Sequence, residues 1–293
     1  MEHVQRHMKV SQRRVCKTLG QPRATQRGRS IRPDRDKPLV SKLRRLARRY
    51  PRYGYRMITA LVRREGWRVN RKRVYRLWRQ EGLQVPHKAH KRRRWGDSKN
   101  GCIRKKARYP NHVWTYDFLY DQTEDGRRLK LLPVVDEFTR ECLTLEVERR
   151  MEAQDVIEVL EYLFALRGSP RYLRSDNGPE FVSKRIKGWL AERKTGTLFI
   201  EPGSPWENAY IESFNSRLRN DFLNVEVFGT LKEAQVLAEE HRLEYNHRRP
   251  HSALGYRTPA AFAATCIPAA SATPPPPEYK SNDVVNSLTA SGT

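Results

Sequence analysis

The chain has 293 residues and carries 58 Lys and Arg against 33 Asp and Glu, a formal net charge of +25. This length exceeds that of a usual single domain, so we expect two or three folded units. No run of residues approaches the roughly 18 to 20 apolar positions of a membrane-spanning helix, and no signal peptide opens the chain, which predicts a cytoplasmic protein. The four cysteines lie far apart, without the paired spacing of a zinc site or the density of a disulfide scaffold.

The charge is distributed unevenly along the chain. Residues 1–108 hold 36 basic and 6 acidic side chains, a net charge of +30, which leaves 22 basic and 27 acidic side chains in the remainder, a net of −5. The first part therefore has the composition of a surface that meets phosphates, and the second has carboxylates to spare. This division predicts that binding and chemistry belong to different parts of the chain.

Apolar residues at helical spacing predict an all-α region in the first part. Ser11 is a plausible N-cap for a short helix that Gly20 ends, and residues 21–38 form a basic stretch without apolar period, which indicates a linker. Three further helical stretches between residues 39 and 85 are typical of a small helix-turn-helix domain.

The third of these helices begins after Asn70, a good N-cap, and one of its faces is strongly basic. That face has the composition of a DNA-reading helix, and equally that of a solvated helix that contacts phosphates without reading bases. Nucleic acid is the expected partner in both cases. The candidate DNA-binding residues of this face are Arg71, Lys72, Arg73, Arg76 and Arg79.

A basic, aperiodic linker at residues 86–111 precedes a change of pattern. A strand is predicted at 113–120, Asp125-Gly126 is a strong hairpin turn, and two more antiparallel strands follow. These two antiparallel strands are predicted at 129–135 and 141–147. The remaining predicted elements are a helix at 153–166, a strand at 171–175, a helix at 183–194 and a strand at 197–200. This order of five strands and helices predicts an α/β fold.

Two aspartates stand at informative places in this region. Asp117 lies within an apolar and aromatic strand, where a charge is costly unless it is paired or bound to a metal, or faces solvent at an edge. Asp176 directly follows the fourth strand, where ligand sites of α/β folds cluster, although the Asn177-Gly178 pair after it also favours a simple turn. Either carboxylate alone has an ordinary structural alternative.

A third carboxylate, Glu212, lies on a predicted helix. Ser204, Pro205 and Glu207 occupy the positions of a capping box that starts this helix, which accounts for Glu207 structurally. Ser216 and Arg219 follow Glu212 by four and seven residues and share its face, so the face presents a carboxylate followed by a phosphate-binding cation.

Asp117, Asp176 and, after 35 intervening residues, Glu212 resemble the DD(35)E signature of retroviral integrases and bacterial insertion-sequence transposases. The surrounding motifs resemble the second reading frame of the two-frame insertion-sequence transposases. These motifs are Tyr53-Gly54-Tyr55-Arg56, Trp114-Thr115-Tyr116-Asp117, Val135-Asp136-Glu137-Phe138-Thr139-Arg140, Ser175-Asp176-Asn177-Gly178-Pro179-Glu180-Phe181 and Tyr245-Asn246-His247-Arg248-Arg249-Pro250-His251.

The resemblance implies a ribonuclease H-like catalytic core with a mixed five-stranded sheet, preceded by an all-α helix-turn-helix region. It also implies two Mg²⁺ or Mn²⁺ ions held by Asp117, Asp176 and Glu212, and terminal inverted repeats and target DNA as substrates. Further implied partners are the product of the upstream frame and other copies of the chain on DNA, with the protein at the nucleoid. The expected boundaries are 1–38 for the N-terminal segment, 39–85 for the helix-turn-helix domain, 86–111 for the linker, 112–263 for the core and 264–293 for a disordered tail.

Several residue roles and two functions remain open as alternatives. Asn177 and Arg56 are candidate DNA contacts. Trp206 either stacks on an unpaired base or packs the helix start, and His251 either touches DNA or makes a structural hydrogen bond. The alternative functions are a nuclease of the same fold without strand transfer, and a DNA-binding regulator derived from a transposase.

Overall fold

The computed structural model describes residues 7, 9–24, 32–85, 106–175, 184–199 and 209–266. The chain divides into two compact units, Met1–Lys91 and Arg92–Thr293. The predicted capping box at 204–207, most of the predicted linker at 86–111 and nearly all of the predicted tail lie outside the described residues. No helix within the described ranges is long and apolar enough to cross a membrane.

The first unit is all-α in its described part. Its helices are α1 (Gln12–Thr18), α2 (Arg32–Arg49), α3 (Tyr55–Arg64) and α4 (Arg71–Gln80). The Ser11 hydroxyl accepts the Arg14 N–H at the start of α1, and Gly20 follows that helix with a φ of 61°. Both predicted ends of this helix are confirmed.

Helix α2 begins at Arg32, which corrects the predicted linker of 21–38 and its boundary. Its first turns have little apolar periodicity, and the anchor is instead Asp36, which is buried and bonded to Arg73 and Arg76 of α4. An ion pair between distant residues leaves no periodic signal in the sequence, so the pattern predicted a linker where the structure has a helix.

Helices α2, α3 and α4 enclose one apolar core. Helix α4 contributes Val74, Leu77 and Trp78 to it, and the predicted N-cap is confirmed because the Asn70 side chain accepts the Lys72 N–H at 2.9 Å. Other buried members of this core are Leu39, Leu43, Leu46, Tyr53, Ile58, Leu61, Val62 and Val69.

The second unit is built on a mixed sheet. Its strands are β1 (Val113–Tyr116), β2 (Leu119–Gln122), β3 (Arg128–Asp136), β4 (Cys142–Glu148), β5 (Tyr172–Ser175) and β6 (Gly196–Phe199). They follow the order β2-β3-β1-β5-β6, with β4 on the other edge of β3. Strands β1 to β4 pair antiparallel, whereas β5 runs parallel to both β1 and β6. The predicted α/β class is confirmed, with six strands instead of five.

The sixth strand arises because the first predicted strand is divided in two. Strands β1 and β2 lie along the same edge of β3 in one continuous register, since Tyr116 faces Val134 and Leu119 faces Leu131. The interruption therefore involves only the residues between them, of which Asp117 is the first.

Pro133 of β3 explains this interruption. The Glu137 N–H donates to the Val113 carbonyl at 3.0 Å, so every second residue from Val113 onward exchanges hydrogen bonds with β3. Continuing this alternation along the register brings Asp117 opposite Pro133, which has no N–H to donate. The ladder is therefore broken at the residue that the sequence singles out for chemistry.

Helices cover both faces of the sheet. Helices α5 (Ala153–Arg167) and α6 (Lys184–Glu192) pack on one face, against an apolar set that includes Trp114, Tyr116, Leu132 and Leu173. The other face is covered by α7 (Ala209–Leu218), a π-helical turn (Arg219–Leu223) and α8 (Leu231–His247). A 3₁₀ turn (Ser252–Leu254) and α9 (Pro259–Ala264) follow. Strand β1 is consequently buried on both sides.

Candidate active site

Asp117 lies immediately after β1, at the break in the strand, and is partly buried. Its Oδ1 accepts the N–H of the next residue, Phe118, at 2.8 Å. Its Oδ2 accepts the side-chain amide of Asn215 on α7 at 2.9 Å. Asp117 is therefore held at the end of a central strand and is directed toward the helix that carries Glu212.

The strand that leads to Asp176 is the parallel neighbour of the strand that leads to Asp117. Thr115 of β1 pairs with Arg174 of β5, and β5 ends at Ser175, one residue before Asp176 in the sequence. Asp176 itself lies outside the described residues, as do Asn177 and Trp206. The two strands thus run side by side toward the same edge of the sheet.

Glu212 is exposed on α7, one helical turn before Asn215. Residues three apart on a helix are neighbours, about 5 to 6 Å between Cβ atoms. Because Asn215 is bonded to Asp117, the helix side that bears Glu212 lies next to that carboxylate. Ser216 is exposed on α7, and Arg219 is exposed as the first residue of the π-helical turn.

Two contacts hold the ends of this helical segment. The Arg140 guanidinium lies 3.9 Å from the centre of the Tyr210 ring, two residues before Glu212. At the other end, Arg249 donates through Nε to Asp221 of the π-helical turn at 3.1 Å and makes a second contact through Nη2. Both cations come from segments outside α7, so each end of this helical segment is held by a neighbouring part of the chain.

The described donors suit a hard divalent cation. Asp117 and Glu212 offer carboxylate oxygens, the ligands that Mg²⁺ and Mn²⁺ prefer. Among the residues that the structure describes, no three His, Cys, Asp or Glu side chains form a metal-binding group. The third predicted carboxylate, Asp176, is not among those residues.

Known protein families match both units of the chain. Two families described as integrase core domain match residues 107–205 and 193–259, and a family described as HTH-like domain matches residues 33–93. The "Insertion element IS407 uncharacterized 31.7 kDa protein" of Burkholderia multivorans is 37% identical over 270 residues, which cover 90% of this chain and 94% of that protein. The chain belongs to the insertion-sequence transposase family.

A second relative of this transposase, from Escherichia coli (strain K12), is the "Putative transposase InsK for insertion sequence element IS150". It is 27% identical over 219 residues, which cover 72% of this chain and 77% of that protein. Among solved structures, the HTLV-2 integrase catalytic core domain in complex with magnesium matches with a TM-score of 0.41 and 17% identity, over 53% of this chain and 97% of that one.

The predicted basic face of α4 is divided in the structure. Arg71, Lys72 and Arg79 are exposed, and Arg79 lies 6.0 Å from the centre of the Tyr75 ring. Arg73 and Arg76 are instead ion-paired with Asp36 of α2, although their side chains remain 38% and 42% exposed. On α3, Arg56 lies over the Tyr55 ring and donates to its hydroxyl at 3.2 Å.

The motif at residues 245–251 of the transposase anchors α8 and the segment after it. Asn246 bonds both the N–H and the carbonyl of Cys142 in β4, at 2.9 and 2.8 Å. His251 is buried edge-on against Tyr245, and its Nε2 has no hydrogen-bond partner among the described residues. Within the described part of the chain, Nε2 of His251 therefore does not make the predicted structural hydrogen bond. Burial lowers the pKa of His251 to about 3, and nearby arginines add to this shift.

Asn215 and Asp36 were not predicted from the sequence. The position of Asn215, three residues after Glu212, placed it beside the predicted carboxylate face, and this spacing was the available signal. Asp36 is one of only two acidic residues between positions 31 and 64, but nothing in the sequence identifies its partners on α4.

Proposed function

We propose that this transposase cleaves DNA at the terminal inverted repeats of an insertion element and joins the freed ends to target DNA. Asp117, Asp176 and Glu212 would hold two Mg²⁺ or Mn²⁺ ions for this chemistry. The observation that carries the proposal is that β1 and β5 are parallel neighbours, and each ends one residue before one of the two aspartates. Carboxyl ends of adjacent parallel strands are where ligand sites of α/β folds form.

The third carboxylate joins this pair through α7. Asn215 is bonded to Asp117, so Glu212, one turn earlier, borders the same carboxylate from the helix side. Three carboxylates from two strand ends and one helix supply the converging oxygen donors that two-metal phosphodiester chemistry needs.

Each side chain has a distinct task in this proposal. Ions bound in such a site activate the attacking oxygen and neutralise charge at the leaving oxygen. Asp117 would contribute to holding both ions, Glu212 would help to hold the ion that activates the attacking oxygen, and Asp176 would help to hold the ion that stabilises the leaving oxygen. Ser216 and Arg219, exposed beyond Glu212 on the same helical segment, position the terminal phosphate.

The first unit binds the DNA. Arg71, Lys72 and Arg79 are exposed on α4 beside its buried apolar side, where they can meet a groove or the backbone of a duplex. Joining needs both ends of an element, which favours a multimer of the chain on DNA together with the product of the upstream frame.

The variant Asp117→Asn tests the assignment. We expect Mg²⁺-dependent cleavage and joining of inverted-repeat oligonucleotides to fall by more than about 1000-fold, because one member of a unit that acts together is lost. Affinity for the same DNA should change less than about twofold. Cleavage is measured on gels and binding by fluorescence anisotropy.

Asp121→Asn provides a matched control. The Oδ1 of Asp121 accepts the N–H of Gln122 at 2.8 Å, the same local bond that Asp117 makes with Phe118. We expect this control to keep full activity. Cleavage that survives Asp117→Asn would refute the assignment, and cleavage without joining by the unchanged protein would favour a nuclease.

A further inference from the structure

Helices α2 and α4 line an open groove in the first unit, with a volume of about 1350 Å³. Six basic and two acidic side chains line it, a net charge of +4. Pockets for small molecules usually measure about 300 to 1,000 Å³ and are mostly apolar. Size and charge therefore point to an extended anion.

Both carboxylates of the groove are engaged in ion pairs. Asp36 has a side chain only 7% exposed and bonds Arg73 and Arg76 at 2.7 and 2.5 Å. Glu81, after the end of α4, bonds Arg44 of α2 at 2.5 Å. These ion pairs join α2 to α4 and to Glu81, the residue after α4. Both negative charges of the groove are therefore already neutralised by arginines of the folded chain.

The arginines of α2 that line the groove outnumber the carboxylates that line it. Arg45 and Arg48 are exposed and line the groove, and neither has an ion-pair partner within the described part of the chain. Along the same helix, Arg44 and Arg48, and likewise Arg45 and Arg49, are four residues apart, a spacing at which like charges repel. A bound polyanion would relieve this repulsion, whereas the folded chain alone gains nothing from it.

We propose that the α2–α4 groove binds the phosphodiester backbone of duplex DNA. This contact is separate from the exposed basic residues of α4, and it rests on the proposed function only for the identity of the nucleic acid. The basic side chains extend along about one and a half turns of α2, from Arg44 to Arg49, which suits neighbouring phosphates of a backbone better than a single anion. Because phosphates carry no base sequence, the groove contributes affinity and orientation without sequence discrimination.

The test removes the two unpaired cations in the full-length chain, Arg45→Gln with Arg48→Gln. Anisotropy titrations use an inverted-repeat duplex and an unrelated duplex over a range of salt concentrations. We expect affinity for both duplexes to fall equally, by about 60-fold at 0.1 M salt, and the slope of log K against log salt to decrease by about 1.8, as for two lost phosphate contacts.

The matched control removes the same charge elsewhere. Arg150 and Lys232 are exposed in the second unit, and Arg150→Gln with Lys232→Gln lowers the net charge equally. We expect this control to leave the slope unchanged. An equal loss of affinity in both double variants would overturn the proposal, and so would a loss confined to the inverted-repeat duplex.

Ser41→Glu tests the same groove without removing an arginine. Ser41 is exposed in the groove four residues before Arg45, so the new carboxylate forms a helix-stabilising pair with it. We expect the melting temperature to rise by about 2 °C while DNA affinity falls. Unchanged affinity would overturn the proposal.

Two further comparisons separate this proposal from the proposed function. An RNA duplex of the same sequence that binds more tightly than DNA, and loses affinity in the Arg45 and Arg48 variant, would contradict the assignment to DNA. A chain that neither cleaves nor joins DNA, but shows the expected loss of salt-dependent binding, would refute the proposed function and support the groove.

Discussion

Asn215 donates a hydrogen bond to the carboxylate of Asp117, one of the three proposed metal ligands. It is 8% exposed, its amide nitrogen donates to Asp117, and its Oδ1 is buried without a hydrogen-bond partner in the described residues. An aspartate or leucine at this position could not donate that bond. The amide fixes the orientation of the Asp117 carboxylate and joins α7 to the end of β1.

Replacing Asn215 by alanine should weaken metal binding without unfolding the protein. We expect Asn215→Ala to raise the Mg²⁺ concentration for half-maximal cleavage by about 10- to 100-fold, the usual cost of losing a group that orients a metal ligand. The measurement is a cleavage assay over a Mg²⁺ titration, with DNA affinity followed in parallel.

The control for this prediction is Asn224→Ala. Asn224 is an exposed asparagine at the end of the π-helical turn, and its backbone N–H, which the substitution keeps, bonds the Arg219 carbonyl at 2.8 Å. We expect its Mg²⁺ dependence to match the unchanged protein. A lower maximal rate with the same Mg²⁺ dependence in Asn215→Ala would show that the amide acts in another way.

Individual residues could be predicted from the sequence where their role depends on spacing along the chain. Glu212, Ser216 and Arg219 could be placed on one helical segment because four- and seven-residue intervals define a face. Asn215 and Asp36 were missed because their roles depend on partners 98 and 37 or 40 residues away. A hydrogen bond between distant residues has no local pattern.

Side chains of the segment at residues 245–251 add polar contacts between elements of the second unit. Asn246 clamps the start of β4, and Arg249 holds the π-helical turn that follows α7. His251 is enclosed in the same segment, where burial lowers its pKa to about 3. Stability of this segment should therefore depend on pH.

The direction of that dependence follows from proton uptake. Below its ordinary pKa of 6.5, His251 of the unfolded chain takes up a proton that the folded protein does not bind until about pH 3. The stabilisation from neutral, buried His251 is thus complete above pH 6.5 and is lost progressively as the pH falls toward 3. One such group changes the free energy of unfolding by about 1.4 kcal/mol per pH unit.

We expect His251→Gln to reduce the slope of unfolding free energy against pH by about one proton between pH 6 and 4. Urea unfolding at several pH values measures it, with hydrogen exchange of β3 peptides reporting on the second unit. His247→Gln is the control, because that side chain is exposed at the end of α8. An unchanged slope in His251→Gln would show that its burial is not linked to proton uptake.

Most elements were predictable from apolar periodicity, and the exceptions have identifiable causes. The hairpin turn at Asp125-Gly126 was predicted, and Gly126 has positive φ. The helix predicted at 153–166 corresponds to α5. The break between β1 and β2 was not predicted, because it depends on which residue of β3 comes opposite Asp117. The sequence contains Pro133, but register between strands is decided by the assembled sheet.

Each of the two units of the molecule has its own apolar core, and the basic charge is likewise concentrated in the first part of the chain. The core of the first unit contains residues between 39 and 83, and the two cores of the second contain residues between 114 and 245, with no cluster among the described residues that mixes them. Each unit also has its own anchoring polar contact, Asp36 in the first and Asn246 in the second.

Variants of these two anchors should act on different parts of the chain. Asp36→Asn removes the charge of a buried carboxylate whose arginine partners are part-exposed, and it should destabilise the first unit by about 2 kcal/mol. Asn246→Ala leaves the Cys142 N–H and carbonyl without partners and should cost the second unit about 2 kcal/mol. By hydrogen-exchange mass spectrometry, we expect the first variant to accelerate exchange about 30-fold in α2 to α4 and the second about 30-fold in β3 and β4. Since each core draws on one unit alone, each variant should leave the other region unchanged. Acceleration of both regions by either variant would contradict separate cores.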